Sequence, residues 1–118
     1  MEQVSLIGQG DLLLVPFPFS DQSGRKVRPV IVMSNDDFNS HSDDLIVVGV
    51  TSSGSVGKYT LDFSTNDLNN GKLFLKCYIK VENILKLDKE LVIKRIGSVK
   101  EEKMKLIEKK ILEIIRIR

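Results

Sequence analysis

The apolar residues of this chain keep one kind of spacing as far as residue 97 and another after it, and few folds accommodate that switch. Before it they come in short bursts. Asp11-Leu-Leu-Leu-Val-Pro-Phe-Pro-Phe19 starts as an apolar strand, and its prolines, which lack a backbone donor, suit a strand that leaves its sheet near Phe17. The polar, glycine-containing stretch Ser20 to Val27 reads as a loop to the β-branched run Val30-Ile-Val-Met-Ser34, a long-looped hairpin. Asn35 to Asp44 reads as a polar connection, and Leu45-Ile-Val-Val-Gly-Val-Thr51 as a strand in the centre of a core. A Gly/Ser loop comes next, and then Tyr59, Leu61 and Phe63 alternate with Lys58, Thr60 and Asp62 as in a half-buried strand. A turn at Asn69-Asn-Gly71 leads to strand-like runs at Leu73–Ile79, Val81–Leu87 and Leu91–Ile96. After these, Met104, Ile107, Ile111, Ile114 and Ile115 recur at helical spacing with lysines on other faces, and Ser98 with Glu101 fits a capping box that starts a helix at Val99. The pattern predicts a mainly β single domain over residues 1–118: a small, strongly twisted barrel with a C-terminal helix whose apolar stripe packs on it.

Composition removes several kinds of function. The single cysteine, Cys77, has no intramolecular disulfide partner, and with the single histidine, His41, it falls short of the roughly four ligands of a structural zinc site, so neither metal nor cofactor is expected. One histidine also excludes a nuclease that uses two as acid and base within one chain. The charge-free stretch Leu12 to Ser20 is far shorter than the roughly 20 apolar residues of a membrane span, and the N-terminus shows no secretory pattern, so no membrane association and a cytoplasmic location are expected. The net charge of +2 conceals an imbalance: residues 1–71 hold four basic against nine acidic residues, and the remainder fourteen basic against seven acidic. A basic half can attract phosphate, although such blocks are commonly just solvated faces.

Ser52-Ser-Gly-Ser-Val-Gly-Lys-Tyr-Thr60 imitates a phosphate-binding loop but fails on spacing: Ser52 stands where a glycine is required and Tyr59 where the magnesium-binding hydroxyl belongs. A more informative set is Gly10-Asp-Leu-Leu-Leu-Val-Pro-Phe17, the loop beginning Ser20-Asp-Gln22, Val27-Arg-Pro29 running into a strand, and Val50-Thr-Ser52 closing the next one. Lys80-Val-Glu-Asn-Ile84 and Ile96-Gly-Ser-Val99 before the helix complete it. Together these resemble the MazF/PemK toxin endoribonucleases of type II toxin–antitoxin systems. The resemblance implies an SH3-like barrel of the MazF/PemK (CcdB-like) type, usually a homodimer, that cuts single-stranded RNA without a metal and is silenced by an antitoxin protein. It also implies catalytic roles for Arg28 and Thr51, and RNA contacts for Ser20, Gln22, Ser52 and Asn83. Phe17, by default a core or dimer residue, is also an aromatic beside the loop that could stack on an unpaired base.

The chemistry of these residues agrees with that implication. An arginine where a loop enters a strand, followed by a proline that fixes the local chain, offers a planar pair of donors to a phosphate. If a ribose 2′-hydroxyl attacks the adjacent phosphate, negative charge grows on the phosphate oxygens, and donors from Arg28 and Thr51 stabilise it more than the ground state. Arginine stays protonated at any ordinary pH, so charge stabilisation or proton donation to the leaving 5′-oxygen suits Arg28, and the base that takes the 2′-hydroxyl proton is left open. Asp11 is expected to bind backbone donors of the preceding turn, His41 to be solvated and Cys77 to pack as a small hydrophobe. Two other functions stay open on sequence: a non-catalytic toxin of the same fold that inhibits a protein such as DNA gyrase, and a nucleic-acid-binding barrel without chemistry.

Overall fold

Seven strands, β1 (Asp11–Pro16), β2 (Val27–Val32), β3 (Asp44–Thr51), β4 (Thr60–Phe63), β5 (Leu68–Asn70), β6 (Cys77–Asp88) and β7 (Lys94–Val99), form one antiparallel sheet in a computed structural model that describes residues 6–16, 26–53 and 56–118. Helix α1 (Asp36–His41) joins β2 to β3, and α2 (Glu101–Ile115) comes after β7. Strand order is β4-β6-β3-β2-β1-β7-β5. The outermost strands, β4 and β5, are linked by residues 64–67 alone, so the sheet must curl until its two edges lie a few residues apart. That curl is the expected mainly β barrel with a C-terminal helix.

Both faces of the sheet are apolar. Leu12, Ile31, Val48 and Val50 point to one side, and Leu13, Val15, Val30, Val32, Leu45 and Val47 to the other, all buried. Burial on both sides explains why β1 to β3 read as unbroken apolar runs and not as alternations. The first cluster continues into Phe63, Ile79 and Val81 and is sealed by α2, whose Ile107 is fully buried while Met104, Ile111 and Ile114 pack around it. Burying one such side chain contributes about 1.5–3 kcal/mol.

Strand β6 changes sides part-way along. Gly49 of β3 pairs with Lys80 and the adjacent Val48 with Ile84, so three residues of β6, 81–83, have no counterpart. An odd number of extra residues exchanges the faces of the strand beyond them. Cys77, Ile79 and Val81 therefore enter the first cluster, whereas Leu85 and Leu87 meet the second.

Several local expectations need correction. The expected strand runs at 73–79 and 81–87 are one strand that starts only at Cys77, and the run at 91–96 yields to a 3₁₀ turn over 89–91 before β7. Asn69 and Asn70 lie in β5, not in a turn. The polar connection at 35–44 holds helix α1, capped by the Asn35 side chain accepting from the Phe38 N–H at 2.9 Å, with Asp36 and Asp37 at the positive end of its dipole. Helix α2 begins at Glu101, without the capping box: Ser98 is in β7 opposite Asp11, and its hydroxyl accepts from Asn70 Nδ2 at 3.1 Å. Asp11 behaves as expected, its carboxylate accepting from the Gly8 N–H at 2.8 Å, and it also pairs with Arg95 Nε at 2.9 Å. His41 is solvent-exposed, and no helix of the described residues is long and apolar enough to cross a membrane.

The contact of β5 with β7 is a backbone-to-backbone approach. A Cβ on Gly97 would collide with the Asn70 carbonyl oxygen, and one on Gly71, whose φ is +91°, with that of Ile96. Gly97→Ala is expected to cost about 1–3 kcal/mol, read as a lower urea midpoint, whereas Gly49→Ala, whose added carbon meets only the Asn83 side chain at 3.4 Å, should cost less. Cys77 is 5% exposed, and burial pushes its thiol pKa up, away from the reactive thiolate. A thiol reagent at mildly alkaline pH should therefore label native protein much more slowly than urea-unfolded protein.

Candidate functional site

The β2–β3 ladder pairs Val32 with Val47, Ile31 with Val48 and Val30 with Gly49, and no pair continues it toward the site. Pro29 stands at that end of the ladder. Lacking an N–H, it offers β3 no donor to carry the ladder on, while its ring holds φ near −65° beside Arg28. Extending the register by two residues sets Arg28 opposite Thr51. There the strands are joined by side chains: Arg28 Nη1 donates to Thr51 Oγ1 at 3.1 Å.

Thr51 is itself oriented. Its oxygen accepts from the Ser53 N–H at 3.2 Å, and its proton is directed to the Ser53 carbonyl at 3.1 Å, a local turn at the end of β3. Arg28 is half-buried, its stem on β2 opposite Val15 of β1, so the guanidinium emerges from the centre of the sheet.

Two clefts meet at Arg28. The narrow one, about 60 Å³, is lined by Gly49, Thr51, Lys80 and Asn83 among others. The β6 bulge is what brings Asn83 there, its Cβ resting 3.4 Å from where a Gly49 side chain would begin. The wide cleft, about 450 Å³, runs from Lys26 and Ser52 to the segment Leu73-Phe-Leu75. Its described lining includes Lys26 and Arg28 and no carboxylate.

The structure thus brings Arg28, Thr51, Ser52 and Asn83 to one place, though they are up to 55 positions apart in sequence. Ser20, Gln22 and Phe17 lie outside the described residues. Sequence reasoning overlooked Lys80, which lines the narrow cleft with Nζ 3.7 Å from the Glu82 carboxylate. Its signal was its place just before Glu82-Asn83, where the bulge turns the strand. Gly57, in the stretch that imitates a phosphate loop, is followed by β4 and not by a helix, and among the described residues no three His, Cys, Asp or Glu side chains gather as a metal-ligand set.

Known structures share this fold. An endoribonuclease in complex with its cognate antitoxin, from a mycobacterial species, superposes with a TM-score of 0.77 over 96% of this chain and 98% of its own, at 18% identity. A second mycobacterial endoribonuclease gives 0.73 over 95% and 93%, at 19% identity. The MazE–MazF complex of Deinococcus radiodurans gives 0.75 over 98% and 100%, at 13% identity. At such identities the likeness is one of fold. No curated protein sequence matches. Residues 8–115 match the family model described as the PemK-like, MazF-like toxin of type II toxin–antitoxin systems, and the chain belongs to that family.

Proposed function

We propose that this toxin is an endoribonuclease that cuts single-stranded RNA by 2′-hydroxyl attack without a metal, that it acts as a homodimer, and that an antitoxin protein silences it. The observation that carries this reading is the Arg28–Thr51 hydrogen bond of 3.1 Å at the junction of two clefts. Family membership, and structural neighbours described as endoribonucleases with antitoxin, support it.

A phosphate entering the junction replaces the Thr51 oxygen as acceptor for Arg28. The Thr51 proton then turns from the Ser53 carbonyl to a phosphate oxygen. As the 2′-oxygen bonds to phosphorus and the bond to the 5′-oxygen breaks, charge grows on the non-bridging oxygens that face these donors, and a donor preset for that charge acts mainly on the transition state. The proton lost by the 2′-hydroxyl is balanced by one gained at the leaving 5′-oxygen, giving a 2′,3′-cyclic phosphate and a 5′-hydroxyl. Lys80 and Asn83 line the narrow cleft, where in this reading the first adds positive potential and the amide of the second meets a base edge. Ser52 borders the path of the chain on the other side.

Long single-stranded RNA incubated with the protein in EDTA should be cut, leaving cyclic-phosphate ends at a recurring short sequence. Arg28→Ala and Thr51→Ala should each slow cutting on the order of a hundred- to thousand-fold without lowering the melting temperature of the protein much. Arg28→Lys should restore little, because an ammonium lacks the planar pair of donors. Intact RNA after incubation with antitoxin-free protein would overturn the reading.

A further inference from the structure

Phe74 is 90% exposed, yet the chain on both sides of it is tied down. The Leu73 N–H donates to Thr65 Oγ1 at 2.9 Å, and the same hydroxyl donates to the Leu73 carbonyl at 3.1 Å. The Leu73 side chain packs on the core under α2, and the Leu75 carbonyl accepts from Cys77 Sγ at 3.4 Å. The backbone on either side of a solvent-facing phenyl ring is therefore tied to the body of the protein. It forms a wall of the wide cleft whose other described residues include Lys26, Arg28 and Ser52 and no carboxylate.

We infer that Phe74 is a stacking platform for an unpaired base of the RNA whose phosphate Arg28 holds, a role that rests on the function proposed above. A flat apolar face beside a guanidinium matches the two halves of a nucleotide, which presents a π-surface and an anion a short distance apart. The cationic lining, with no carboxylate among its described residues, suits the phosphate, and a ring carried on a tied backbone has less freedom to lose when a base covers it. The wall reads no base edge, so it contributes affinity and position, and discrimination among bases falls to polar groups such as Asn83.

The chain contains no tryptophan, so Phe74→Trp installs a single reporter at the wall. The probe is a single-stranded oligonucleotide carrying 2′-O-methyl groups throughout, which cannot be cut. Its addition should quench the Phe74→Trp fluorescence. Phe74→Ala should weaken binding roughly 5- to 100-fold with an unchanged melting temperature and an unchanged slope of affinity against salt, while Phe74→Tyr retains binding. Arg28→Ala should instead flatten the salt slope. Parent-like affinity in Phe74→Ala, or fluorescence unmoved at saturation, would overturn the stacking role and leave the nuclease reading intact. Unchanged RNA affinity with a weakened hold on the antitoxin would also overturn it and assign the wall to a protein segment. A parent protein that neither binds the probe nor cuts RNA would remove both.

Discussion

Three residues of β6 without partners in β3 govern much of this molecule. With the apolar residues Cys77, Ile79, Val81, Leu85 and Leu87 all at odd positions, a regular strand would turn them all to one core. With the extra residues it serves both, Ile79 and Val81 under α2 and Leu87 on the far side. The same irregularity swings Asn83 over Gly49, so the feature that lets a short chain fill two cores also builds one wall of the site. Bulges recur beside active sites because they re-aim a side chain without breaking the strand.

The rest of the site depends on where pairing stops. Beyond Val30 and Gly49, β2 and β3 are held by Arg28 and Thr51 side chains in place of a ladder. A bond between side chains is one that a ligand can enter, whereas a ladder in the middle of a sheet is not. The guanidinium–hydroxyl contact closes the junction and holds both groups in orientation, and in the function proposed above an anion takes the place of the hydroxyl.

Much of this was legible from residues alone. The apolar start of Asp11–Phe19 marked β1, the continuous run Leu45–Thr51 marked a strand central to the core, the stripe from Met104 to Ile115 marked α2 although Ile115 itself is exposed, and Arg-Pro at a strand start marked the position of Arg28. The features that escaped did so for physical reasons. The hydroxyl of Ser98 was claimed by Asn70, a partner 28 positions away that no local capping rule sees. Helix α1 is only six residues long and apolar-poor, so periodicity passed over it although Asn35-Asp-Asp37 held the capping signal. The apolar run 73–79 read as a strand because exposure of Phe74 and Leu75 depends on hydrogen bonds from Thr65 and Cys77, which are tertiary facts. The bulge left no mark in spacing, since apolar residues at odd positions continue straight through it.

The helix that seals the core is made long after the strands that carry Arg28 and Thr51. Synthesis runs at about 5–20 residues per second, so Ile107 emerges from the ribosome several seconds after Thr51. Until it arrives, the cluster beneath α2 is open to water. The strands that carry Arg28 and Thr51 are therefore made well before the core beneath α2 can close.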